Sequence, residues 1–174
     1  DGVRKADELG LTHVLQIDSD GQHDAERVAH FVEVSKKNPD AIICAYPEYD
    51  ESAPKHRVNG RTIANAWIHT VTLSKQIKDG MIGFRIYPVA PYVKLLNSHA
   101  IIDERMGYDI DILVRLFWKN VPVICESVKV TYPVDGVSNF RLVRDNARIS
   151  LTYARLFLGM IVRLPILIYR KVKR

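Results

Sequence analysis

The chain has little cysteine, almost no negative charge in its C-terminal tail and no long uninterrupted apolar run, and each shortage narrows what it can be. Its two cysteines, Cys44 and Cys125, fall in separate strand-like runs of a 174-residue sequence. Two thiols give no disulfide framework and predict buried, reduced side chains, as is usual in the cytoplasm. The most apolar stretch, residues 156–169, is only 14 residues long. As a helix it would reach roughly 21 Å against a hydrocarbon core of ~30 Å, and Arg163 near its middle would cost about 2.5 to 3.5 kcal/mol there. A spanning helix is therefore not expected. No recognised nucleic-acid motif is present, and the basic residues of the tail are backed by large apolar ones rather than interleaved with stacking aromatics, which argues against a nucleic-acid partner.

What is present suits one packed domain or most of one, with 47% apolar residues to fill a core. Residues 141–174 carry nine Lys or Arg against the single Asp145, whereas residues 1–140 carry 16 basic and 19 acidic groups, a balance of −3. A basic tail on a mildly acidic body points to an anionic partner surface, phospholipid or nucleic acid. The opening residues, Asp1 to Gly10, read as the tail of a helix stopped by glycine, which predicts further sequence before Asp1.

Around one stretch, Val14-Leu15-Gln16-Ile17-Asp18-Ser19-Asp20-Gly21-Gln22-His23-Asp24, the rest is organised. An apolar strand-like run ends in two carboxylates two positions apart, where alternate residues point the same way and can converge on one ion. Oxygen ligands of this kind suit Mg²⁺ or Mn²⁺ carrying a substrate diphosphate. Asx-turn chemistry explains the same residues without a metal. An EF-hand loop fits less well, because its glycine stands sixth and here it stands fourth.

Farther on, helix and strand alternate. Residues 25–37 place Val28, Phe31, Val32 and Ser35 on one helical face, and Asn38-Pro39 ends it. Residues 41–45 form a short apolar strand, followed by an irregular loop over 46–54 next to the candidate site. A helix over 55–73 carries Arg57 and Arg61 one turn apart, either addressing one anion together or lying on a solvated face. Gly80 and Gly83 flank apolar residues where the backbone must pass close to something, and a strand leaves through Phe84-Arg85-Ile86-Tyr87. The next helix opens with Asp109 and Asp111, whose carboxylates its dipole favours; Asp109 is either a helix cap or a general base. Residues 121–132 read as one long strand or a bent pair.

Four ordered motifs carry a resemblance that covers nearly the whole chain: Ile17-Asp18-Ser19-Asp20-Gly21-Gln22-His23; Asp79 through Gly83-Phe84-Arg85; Gly107-Tyr108-Asp109-Ile110-Asp111 with Arg115; and Tyr132-Pro133 with Asp135-Gly136-Val137-Ser138-Asn139-Phe140-Arg141. Together they resemble family 2 glycosyltransferases, most closely bacterial enzymes related to polyprenyl-phosphate (dolichol-phosphate) sugar synthases. The resemblance implies an α/β fold of GT-A type, a partial Rossmann-like mixed sheet flanked by helices. It implies a nucleotide-diphosphate sugar donor, a divalent metal, Mg²⁺ or Mn²⁺, and inverting displacement. By resemblance Asp18, Asp20 and Gln22 hold the metal and donor diphosphate, Arg57 lies near a donor or acceptor phosphate, Gly83, Phe84 and Arg85 line the acceptor floor, and Asp109 is the base. The sequence departs from the family in two places. Tyr108 replaces an acidic partner, leaving Asp109 and Asp111 as alternatives for the base. Cys44-Ala45-Tyr46 stands where polyprenyl-phosphate enzymes have Gly-Ser-Arg, so the acceptor can be a lipid phosphate, a lipid-linked hydroxyl or a glycan.

On this reading residues 1–140 are the C-terminal part of a GT-A domain whose nucleotide-binding part precedes them, and residues 141–174 are a basic amphipathic juxtamembrane-type helix. Projected at 100° per residue, Arg144, Arg148, Arg155, Arg163 and Arg170 share an arc and Phe157, Leu158, Met160, Ile161 and Leu164 face away from it. Such a helix either lies on an anionic leaflet or packs its apolar face on the domain, and Pro165 is expected to kink or restart it. The expected setting is cytoplasmic, on the inner face of a bacterial plasma membrane, with a lipid or polyprenyl-phosphate acceptor. The truncated core predicts self-association and no turnover by these residues alone. The alternative is a catalytically incomplete transferase-like module binding a membrane surface or nucleic acid as a scaffold.

Overall fold

A computed structural model of the chain describes residues 1–18, 25–49, 55–130 and 141–173, with the side chains of residues 25, 55–57 and 142 left out of the description. Asp20, Gln22, the side chain of Arg57 and nearly all of the last motif, residues 131–140, therefore lie outside the described residues.

Among the described residues the architecture is mixed α/β, with a four-stranded mixed sheet and six helices. The helices are α1 (Gly2–Glu8), α2 (Val28–Lys37), α3 (Lys55–Thr72), α4 (Val89–Leu96), α5 (Tyr108–Trp118) and α6 (Leu142–Lys173); a 3₁₀ turn, Ala25–Arg27, leads into α2. The strands are β1 (His13–Gln16), β2 (Ile42–Tyr49), β3 (Arg85–Pro88) and β4 (Val123–Val130), in the order β1-β3-β2-β4. β3 runs antiparallel to both neighbours, and β2 and β4 are parallel.

Side-chain alternation along the strands sorts the core into two layers. Ile43 and Ala45 of β2 pack with Phe84, Ile86 and Phe31 beneath α2, where the Phe31 and Phe84 rings stack at 4.4 Å. Ile42 and Cys44 face the other way, joining Tyr87 and the buried sides of α3, α5 and α6. β2 is covered on both faces, which is why it reads as a continuous apolar run rather than an alternating one.

β2 extends four residues past the short strand expected from its apolar residues. Tyr46, Pro47, Glu48 and Tyr49 pair in parallel with Ser127, Val128, Lys129 and Val130. Pro47 is tolerated because β3 pairs only with Ile43 and Cys44, so no partner on that side needs its missing N–H. α5 ends at Trp118, and two residues on Asn120 takes a left-handed conformation with φ 68° that lets Val121 N–H reach the Leu116 carbonyl at 3.1 Å.

α6 is one helix of 32 residues with Pro165 inside it rather than two segments, and it is about 48 Å long at helical rise. Ile149, Tyr153, Leu156, Met160 and Leu167 are buried against the domain. Arginines border this buried strip. Arg155 pairs with Asp103 at 3.3 Å, Arg163 lies 4.7 Å from the Trp118 ring centre, and Arg170 donates to the Trp118 carbonyl at 2.8 Å. Their aliphatic stems cover apolar surface while their heads find acceptors on the domain. The side left bare is apolar: Leu158 is 63% exposed and Val162 79%. The helix is thus amphipathic, but its basic residues border the contact with the domain and only part of its apolar surface is buried. Over Val143–Lys173 it is long and apolar enough, by length and composition, to cross a membrane, with an 18-residue window of mean hydropathy 1.7.

Candidate functional site

The strand register assembles the site. Gln16 pairs with Arg85 across β1 and β3; continuing that antiparallel register by two residues sets Asp18 opposite Gly83, on the same face as Gln16. The side chains bear this out: a Cβ built on Gly83 would fall inside the Asp18 carboxylate. Glycine is required here for space rather than for backbone conformation, and Gly83 forms a cradle for Asp18.

Asp79 fixes the loop that carries Gly83. Its side chain is almost fully buried, and Oδ1 accepts the N–H groups of Met81 and Ile82, each at 2.9 Å. Oδ2 accepts from Asn65 at 3.1 Å and lies 3.4 Å from Arg61 Nε. Arg61 also donates to the Tyr49 hydroxyl at 3.2 Å. Arg61 thus anchors the loop through Asp79. Arg57 lies one turn earlier in α3.

Asp109 enters the same face from the first turn of α5, where the helix dipole favours a carboxylate. Gln16 Nε2 donates to Asp109 Oδ1 at 2.8 Å, tying the base candidate to the strand that ends at Asp18. Arg85 lies beneath, fully buried. Its Nη1 donates to the Asp109 carbonyl at 2.8 Å and to the Tyr87 hydroxyl at 2.9 Å, while Nε and Nη2 have no hydrogen-bond partner among the described residues. A buried arginine stays charged, so this cation sits under the site and fixes the start of α5. Cys44, beside Arg85 in the sheet, is pushed up to about 12 by burial, so it is a neutral thiol and no nucleophile.

Asp111 is differently placed. Its side chain is 1% exposed, paired with Arg115 Nε through Oδ1 and accepting the Asp103 N–H through Oδ2 at 2.9 Å. Both Asp111 oxygens are engaged, through Arg115 and the Asp103 N–H, in holding the loop before α5. Tyr108 faces Tyr92, whose hydroxyl donates to its own at 2.8 Å. Phe84, expected on the acceptor floor, is buried against Phe31 on the opposite face of the sheet from Arg85.

Of the three residues expected to hold a cation, only Asp18 is described, held in a cradle that a side chain at Gly83 would fill. Among the described residues no three His, Cys, Asp or Glu side chains group closely enough to hold a metal. Sequence reasoning passed over Gln16, although its parity with Asp18 along β1 was the available signal, and it passed over Asp79 as the anchor of the glycine loop. Cavities of about 500 and 350 Å³ lie elsewhere, along α6. No protein-family model and no curated protein matches the chain.

Proposed function

We propose that the chain is the acceptor-side part of a GT-A-type, metal-dependent inverting glycosyltransferase of family 2. In this reading it moves a sugar from a nucleotide-diphosphate donor to a lipid-linked or polyprenyl-phosphate acceptor at the cytoplasmic face of a bacterial plasma membrane. The observation that carries the reading is the convergence of Asp18 and Asp109 on one face of the sheet end, with Gln16 bridging their elements at 2.8 Å from Asp109 and Gly83 left bare beneath Asp18. Asp18, Asp20 and Gln22 would hold a divalent cation, which supplies charge neutralisation for a departing diphosphate.

The chain's own residues supply the remaining chemistry. Asp109 Oδ1 is turned by Gln16, and among the described residues no donor reaches Oδ2, so that oxygen is available to take the proton of an attacking hydroxyl. Arg85 keeps the first turn of α5 in place through the Asp109 carbonyl. A phosphate acceptor is already anionic and needs no base.

The test is sugar transfer by the protein in its native length to both acceptor classes. Asp18→Asn is expected to abolish transfer to either class. Asp109→Asn is expected to slow transfer to a hydroxyl acceptor by about 10² to 10⁴ and to leave transfer to a phosphate acceptor near wild type. Full activity of Asp18→Asn with both acceptors would overturn the assignment.

A further inference from the structure

The first two turns of α6 and the loop before α5 border an open cavity of about 350 Å³ lined by Arg105, Met106, Arg141, Arg144, Asp145 and Arg148. Four arginines and one aspartate line it. That carboxylate is already engaged, since Asp145 Oδ2 accepts the Arg141 N–H at 2.7 Å at the start of the helix. Among the described residues, none of the four arginines forms an ion pair within 4.0 Å. Asp103, two residues before Arg105, accepts from the Thr152 hydroxyl at 2.6 Å and from Arg155, and feels the charge of Arg148 as well without a direct pair.

Like charges gathered round a cavity repel one another, and a polyvalent anion relieves that repulsion. The planar guanidinium fork matches phosphate oxygens two at a time, and the positive end of the α6 dipole adds to the same field. The surroundings indicate which phosphate. Leu151, one turn beyond Arg148, is exposed, and the bare apolar strip of α6 continues from there through Leu158 and Val162. Trp67 of α3 widens the strip, its ring 6.3 Å from that of Phe157 and 44% exposed. A soluble phosphate has no use for an adjoining apolar strip; a lipid phosphate does, because its chains start where its head group ends.

We propose that the arginine pocket binds the phosphate of an anionic lipid while the apolar strip of α6 lies in the acyl region of the same leaflet. The pocket rests on the membrane-face part of the proposed function and is independent of the transfer chemistry. α6 then lies along the interface rather than across it, because residues from Ile149 to Leu167 are pinned to the domain on one side and cannot be surrounded by lipid.

Flotation of the full chain with phosphatidylcholine vesicles, with and without added phosphatidylglycerol, tests this against three paired variants. R105Q/R148Q is expected to lower partition onto the phosphatidylglycerol vesicles by on the order of tenfold beyond the loss in K171Q/K173Q, and to leave partition onto phosphatidylcholine unchanged. Diffuse charge attraction predicts equal losses from the two pairs, and that result would overturn the pocket. L158Q/V162Q is expected to lower partition onto both vesicles. Undiminished partition of that variant would overturn the membrane-face reading while leaving the transferase chemistry standing. Thermal shift by inorganic phosphate, lost in R105Q/R148Q but accompanied by equal partition onto both vesicles, would make this a site for free phosphate and overturn the lipid assignment. Circular dichroism of each variant checks that it is folded before partition is read.

Discussion

Asp109 and Asp111 stand two positions apart in one helix turn and have opposite fates. Two residues of helix rotate a side chain by about 200°, so one carboxylate reaches the end of the sheet while the other turns into the domain. There Asp111 meets Arg115 and the Asp103 N–H and is closed to solvent. Removing one partner of a buried pair strands the other charge. Asp111→Ala is therefore expected to lower unfolding free energy by about 3 to 5 kcal/mol, measured by denaturant titration. Asp109→Asn, losing only a part-buried contact to Gln16, should change the same measurement by about 1 kcal/mol or less. Equal destabilisation by the two would contradict the division of roles. From sequence both were first-turn acids; the partner across space distinguishes them, and no spacing rule contains it. Arg61 makes a similar point, since its spacing from Arg57 says nothing of the contacts its head makes with Asp79 and the Tyr49 hydroxyl across the fold.

At the scale of elements, α6 is docked by a few polar contacts as well as by its buried strip. Asp103 accepts from the Thr152 hydroxyl, from the Arg105 N–H at 2.8 Å and from Arg155. Burial works to raise its pKa, but these donors together hold it below the ordinary carboxylate value of 3.8. A depressed pKa means that the ionised form favours the folded state. The contribution is complete above the unfolded pKa and disappears as pH falls through the folded one. The thermal midpoint of Asp103→Asn should thus lie below that of the wild type at neutral pH, and the difference should close as pH drops below about 4. A gap independent of pH would remove ionisation of Asp103 from the docking of α6.

The elements differ in how far they could be read ahead. α2 follows the apolar face expected of it, burying Phe31 and Ser35, whereas α5 buries nearly its whole circumference, Ile110 to Val114 and Leu116 to Trp118, not only the one face its periodicity marks. α4 has no counterpart among the expected elements; Pro88 precedes its first helical residue and Pro91 falls within its first turn, where missing N–H groups leave no intrahelical bond unmade. β2 beyond Ala45 needed β4 as a partner. The orientation of α6 also lay outside its own sequence, since the stripe of arginines could face lipid or domain. Trp118, Asp103 and the Trp118 carbonyl on the domain drew the arginine heads toward it.

At the scale of the molecule, the proposed chemistry predicts dependence on a divalent cation. Chelation with EDTA is expected to abolish sugar transfer by the native-length protein, and Mg²⁺ or Mn²⁺ to restore it. Undiminished transfer in EDTA would remove the cation from the reaction and return the Asp18 turn to a structural role. The charge distribution belongs to this scale as well: an acidic body and a basic end place the arginine pocket and the bare strip of α6 on the same helix, so one contact with an anionic surface engages both.

The sequence by itself determined the alternation of helices and strands, the abrupt acidic end of β1 and the excess of positive charge in the tail, because periodicity, turn chemistry and charge are local properties of a chain. Only the tertiary structure decided that Gly83 lies beneath Asp18, that Gln16 reaches Asp109, that Asp111 is spent on Arg115 and that α6 leaves its apolar side bare. Each of these depends on which residue meets which across the sheet or between helices, and that is settled by register and packing between segments far apart in the chain.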